Sequence, residues 1–96
     1  MGQVMTLRDA VANLLSLDQD ATIYASEPWT MDSRAIVAQE QGSGGLPGEA
    51  QSLGLNYFLE VAIARDIVGG WAAGLDHNPS ICEQCDRLIQ YALTDA

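Results

Sequence analysis

The stretch from Ser80 to Ala92 constrains this chain more than any other. Ser80 and Glu83 stand at the S-x-x-E spacing of a capping box, in which each side chain satisfies the other residue's backbone N–H. Behind them Ile81, Cys85, Leu88, Ile89 and Ala92 recur at helical spacing and form one apolar stripe. A helix with one apolar side is held mainly by the surface that covers that side, so the rest of the chain has to supply it. With 96 residues available, that means one domain built on a single core.

Two more helical periods and three strand-like runs provide the covering surface. Leu7, Ala10, Val11, Leu14 and Leu15 predict a helix over Leu7 to Leu17, capped by Thr6 and carrying Asp9 in its first turn. Ala21 to Ala25 and Ala35 to Gln39 read as strands, antiparallel because the link between them is too short for a crossover helix. Gln41 to Gly48 reads as a surface loop, and Pro47 to Leu53 as a short helix closed by a left-handed Gly54. In Asn56 to Val61, strict alternation places Tyr57, Leu59 and Val61 on one face, with Phe58 and Glu60 on the other. Ile63, Ile67 and Trp71, with Ala64 and Val68 beside them, predict a helix over Ala62 to Ala73. Gly69 and Gly70 inside it point to close approach of another backbone or an early helix end. The expected fold is α+β: a small three-stranded, mainly antiparallel sheet with helices packed on one face, in the order α-β-β-α-β-α-α.

Charge narrows the function classes. Thirteen acids face four arginines and no lysine, a formal charge of −9, and the acids are spread along the chain rather than gathered in a tail. Nucleic-acid phosphates and anionic membranes are therefore excluded as expected partners, and no apolar run is long enough to span a bilayer. The N-terminus has neither the basic nor the apolar region of a secretory signal, so the expected location is the cytoplasm.

Chemistry-bearing residues are few, and no cofactor is expected. Cys82 and Cys85 form a C-x-x-C, and with Asp76 and His77 they give D-H-x4-C-x2-C, a spacing open to three readings: packed thiols, half of a metal site, or a redox pair. Cys85 falls inside the apolar stripe and Cys82 at its margin, which favours packed thiols. His77 is the single histidine, so no nucleophile and base pair presents itself and a non-enzyme is expected. The segment Glu27 to Arg34 (EPWTMDSR) sets a large ring among turn-forming side chains. Trp29 there is a candidate anchor, either on the domain's own core or in a partner. Glu27, Asp32 and Trp71 complete the candidate partner-binding set.

The run EPWTMDSRAIVA, then Ala50, Gly54, Leu55 and Tyr57, and finally Tyr91, Asp95 and Ala96 resembles a family of small, acidic, uncharacterised bacterial domains. These carry a W-T-x-D segment, here Trp29, Thr30 and Asp32, and a G-L-x-Y strand. The resemblance implies a fold and brings no activity with it. The expected function is that of a protein–protein interaction module, of immunity or inhibitor type, whose acidic surface covers a basic partner. The alternative is a small redox or metal-binding module using Cys82, Cys85 and His77. A homodimer through Trp71 or the edge of the Tyr57 strand is the third possibility.

Overall fold

The computed structural model describes residues 4–39 and 48–95. Four antiparallel strands form one sheet in the order β1 (Met5–Thr6), β3 (Arg34–Ala38), β2 (Thr22–Ala25), β4 (Asn56–Glu60). Among the described residues four α-helices accompany it: α1 (Leu7–Ala12), α2 (Gly48–Leu53), α3 (Val61–Ala73) and α4 (Ile81–Asp95). The class is α+β as expected, but the sheet has four strands where the sequence indicated three. The additional strand, β1, is two residues long and pairs Met5 with Ala35 and Thr6 with Arg34. Two residues are too few to show an alternation. Their pairing leads directly into α1, whose first N–H groups are taken by the β2–β3 loop: Leu7 donates to Ser33 O (2.8 Å) and Arg8 to Met31 O (3.0 Å).

The expected helix over Leu7 to Leu17 is broken. Thr6 caps α1 by accepting the Asp9 N–H at 3.1 Å, and Asn13 ends it, its side chain donating to Asp9 O at 2.9 Å. A 3-10 turn, Leu14–Ser16, follows. The tighter turn keeps Leu14 inside but turns Leu15, assigned to the apolar stripe, outward to 86% exposure.

The strand after Gly54 departs from simple alternation as well. Ile23 pairs with Leu59 and Tyr24 with Tyr57, so Phe58 is an extra residue on β4, a β-bulge. The bulge shifts the period by one. Phe58, Leu59 and Val61 therefore all reach the core, and Tyr57 is left 41% exposed at the sheet edge.

Helices cover both faces of the sheet, not one. Ile23, Ala25 and Ala35 face α1, α3 and α4, where Leu7, Val11, Ala64, Cys85, Leu88 and Ala92 complete the main core. On the opposite face Tyr24 and Ile36 pack against Ala50 and Leu55. That second layer depends on Gly54, at φ +70°, which lets the chain reverse after α2 so that Leu55 N–H donates back to Ala50 O at 2.8 Å. The expected loop at 41–47, with Pro47, lies outside the described residues.

Helix α4 begins as its capping box dictates: Ser80 N–H donates to Glu83 Oε1 (2.9 Å) and Glu83 N–H to Ser80 Oγ (3.1 Å). The α3 glycines do not behave as the sequence suggested. A Cβ placed at Gly69 or Gly70 meets nothing within 4 Å, and the helix continues to Ala73. Neither close backbone approach nor helix ending accounts for them within the described chain.

The glycines make a matched prediction. Gly54→Ala forces an L-residue into the left-handed region and should cost about 1 kcal/mol, lowering the melting temperature by roughly 4–8 °C. Gly69→Ala and Gly70→Ala should each gain about 0.5–1 kcal/mol, because alanine fits and stiffens an exposed helix interior. Thermal or urea unfolding of the single variants reads both signs.

Candidate protein-binding face

The four candidate partner-binding residues occupy two separate places. Glu27, Trp29 and Asp32 lie in the β2–β3 loop, which starts with a cis Glu27–Pro28 peptide. Ser33 organises this loop: its Oγ donates to Pro28 O (3.2 Å) and accepts the Thr30 N–H (2.9 Å). Trp29 is turned onto the protein itself. Its indole N–H donates to Ala25 O (3.2 Å), and its ring meets Phe58 edge-on at 5.0 Å and 83°, a favourable aromatic geometry. Glu27 accepts the Asn56 side-chain N–H at 2.9 Å, and the exposed Asp32 donates its backbone N–H to Thr30 Oγ1. The ring is thus spent on the fold, and the carboxylates around it remain exposed.

Trp71 has a different setting. It is half-buried near the end of α3, beside a shallow groove of about 340 Å³ that it shares with Glu83, Asp86, Arg87 and Gln90 of α4. These α4 residues sit opposite the stripe Cys85, Leu88, Ile89 and Ala92, so burying the stripe necessarily presents them to solvent. Glu83 is held below the usual carboxylate range, first by the Ser80 backbone N–H and next by His77, whose Nε2 lies 3.4 Å from Glu83 Oε2. It is therefore a fixed negative charge at neutral pH. Sequence reading picked out Trp71 alone; the carboxylates beside it come from a helix that packs against α3 only in the folded chain.

Electrostatically, the surface is uncompensated. Asp9, Asp18, Asp20, Glu27, Asp32, Glu60, Asp66, Asp76, Glu83 and Asp86 are all exposed, and none of them pairs with an arginine; the one ion pair among the described residues is His77–Glu83. Arg65 in particular bonds no acid. Its Nε donates to Leu14 O (3.1 Å) and its Nη2 to Leu15 O (3.2 Å) and Leu17 O, so it closes off the carbonyls after the 3-10 turn. Sequence reading missed this role. The one signal was a cation one turn after Val61, on the side of α3 that carries apolar residues.

The residues of the metal and redox alternative do not converge. Among the described residues no group of three or more His, Cys, Asp and Glu side chains is placed to hold a metal ion. Cys82 and Cys85 are free thiols on α4. Burial pushes the Cys85 thiol up to about 11, with the neighbouring Asp86 adding to the rise. Such a thiol is a poor nucleophile at neutral pH. No helix among the described residues is long and apolar enough to cross a membrane.

The thiols give a pH-dependent prediction. In native protein at neutral pH a thiol reagent should label the half-buried Cys82 and spare Cys85, which reacts only after unfolding. Because the folded chain tolerates only neutral Cys85, its contribution to stability is complete below the ordinary thiol value, roughly 8.5. It is lost as the pH climbs toward about 11. Urea midpoints across that range, compared with those of Cys85→Ala, should show the difference between the two proteins shrinking.

The chain matches no protein-family model, no curated protein and no solved structure.

Proposed function

We propose that this chain is a non-catalytic protein-binding module that receives a basic segment of a partner in the groove between α3 and α4. The observation that carries this reading is the juxtaposition of half-buried Trp71 with exposed Glu83 and Asp86, neither of which forms an ion pair with an arginine. A Lys or Arg side chain laid over the Trp71 ring gains a cation–π contact and has carboxylates within reach of its charged end. Arg87 shares the groove and offsets one of the two acids. The remaining negative charge, added to the field of the whole chain, favours a cationic partner over a neutral one and speeds its encounter. An inhibitor or immunity-type protein that covers the basic working surface of another protein has this character. Trp29 and Ser33 support the reading indirectly by giving the β2–β3 loop a fixed shape, with Glu27 and Asp32 as a second acidic contact.

Affinity capture from native lysate at low salt should retain a basic partner on the wild-type chain and release it at high salt. Trp71→Ala should weaken binding of that partner by about tenfold or more, as truncating an aromatic anchor does. Asp86→Arg should weaken it and flatten the salt dependence. Glu83 is avoided as a test position because its loss also removes the α4 cap. A partner held equally well by wild type, Trp71→Ala and Asp86→Arg would overturn the proposal.

A further inference from the structure

A second groove, distinct from the Trp71 groove, lies where the 3-10 turn meets α3 and α4. It has a volume of about 390 Å³ and is lined by aliphatic side chains, chiefly Val11, Leu14, Leu15, Val68 and Ile81, with Gly69 leaving room at its wall and Arg65 the one charged residue among them. This volume is within the range of small-molecule sites, roughly 300–1,000 Å³, and a mostly apolar lining with a few placed polar groups is their usual composition. Here Asn13, Ser16 and Gln84 are polar, and Arg65 carries the charge. A guanidinium carries five N–H donors, of which Nε and Nη2 supply the bonds to Leu14, Leu15 and Leu17. The donors on Nη1 have no acceptor among the described residues. No buried side-chain nitrogen or oxygen there lacks a partner, so Nη1 is open to solvent. The bonds to the carbonyls also fix the guanidinium in place, so little side-chain freedom remains to be lost on binding.

We propose that this groove binds a small aliphatic monocarboxylate, its chain against Val11, Leu14, Val68 and Ile81 and its carboxylate accepting hydrogen bonds from Arg65 Nη1. With Nε and Nη2 committed to the carbonyls, the carboxylate is held through Nη1 alone, by a charge-assisted hydrogen bond that the mostly apolar lining strengthens relative to bulk water. The lining contains no aromatic ring, so an alkyl chain fits it better than a ligand that needs stacking. A single charge is required because the chain carries −9, which repels a phosphate or dicarboxylate more than a monoanion. This site stands independently of the protein-binding reading, since it shares no lining residue with the Trp71 groove.

The test is an NMR titration of the isotope-labelled full chain with octanoate, with 1-octanol as the probe lacking the carboxylate. Octanoate should saturate shifts at Leu14, Val68, Gly69 and Ile81, and octanol should bind about tenfold more weakly or worse, the loss expected for one charge-assisted hydrogen bond. Gly69→Leu fills the groove on a helix that accepts a larger residue, and Leu15→Glu sets a carboxylate at the rim from a position already 86% exposed. Each should weaken octanoate by about tenfold or more. Both substitutions leave the Arg65 carbonyl bonds in place, so lost binding in a folded variant reports on the groove itself. The proposal fails if octanoate leaves these resonances unmoved, if octanol binds as tightly, or if Gly69→Leu binds octanoate like the wild type.

Discussion

The strand Thr22–Ala25 is buried at every position, so each of its faces must be covered and each of its edges paired. β3 and β4 take the two edges in antiparallel register, which satisfies its backbone groups without water. Ile23 and Ala25 require the large layer of α1, α3 and α4. Tyr24 requires the small layer of Ala50 and Leu55, which is reached only because Gly54 reverses the chain after α2. The bulge at Phe58 belongs to the same constraint. It brings two successive residues of β4 into the core and gives Trp29 a ring to meet edge-on, so the β2–β3 loop is held down on the strand that leads into it.

Arg65 solves the complementary problem at the other end of the molecule. A helix that breaks at Asn13 and tightens into a 3-10 turn leaves carbonyls pointing away from any further helical turn. A lysine could place one charge near them, but it could not present the fixed fork that reaches Leu14, Leu15 and Leu17 together. The same side chain thereby ties α3 to the end of the α1 segment. The junction of these elements is also where the aliphatic groove opens.

Legibility in the sequence followed the range of the interactions. The α4 capping box, the Thr6 cap, the Gly54 reversal and the β2 and β3 runs are set by residues within a few positions of one another, and each was readable at its place. Most of the departures had causes far along the chain. β1 exists because β3 offers an edge, the Phe58 bulge because β2 fixes the register, and the outward turn of Leu15 because Asn13 ends α1 and a guanidinium some fifty residues on takes the carbonyls of the turn. The second layer over Tyr24 was hidden because a six-residue helix has too short an apolar period to say which face of a sheet it will meet. Trp71 was visible as a large ring on a helix; its carboxylate neighbours were not, because they come from α4.

The charge imbalance acts differently on the two grooves. At Trp71 the carboxylates are exposed and within the common field of the chain, so the cationic segment proposed for it would be attracted from a distance and then held by contacts weak enough for salt to release. At Arg65 the same field would oppose an incoming anion, and only short-range terms could outweigh it: a hydrogen bond from the free Nη1 of a fixed guanidinium, and contact of an alkyl chain with the aliphatic lining. Screening by salt therefore pushes the two in opposite directions. Added salt would weaken the hold of the first groove on the proposed cationic segment and lower the barrier to an anion's approach at the second. A single cation in each groove, Arg87 in one and Arg65 in the other, is consistent with this division: Arg87 moderates an acidic surface, whereas Arg65 supplies the one positive charge of an apolar wall.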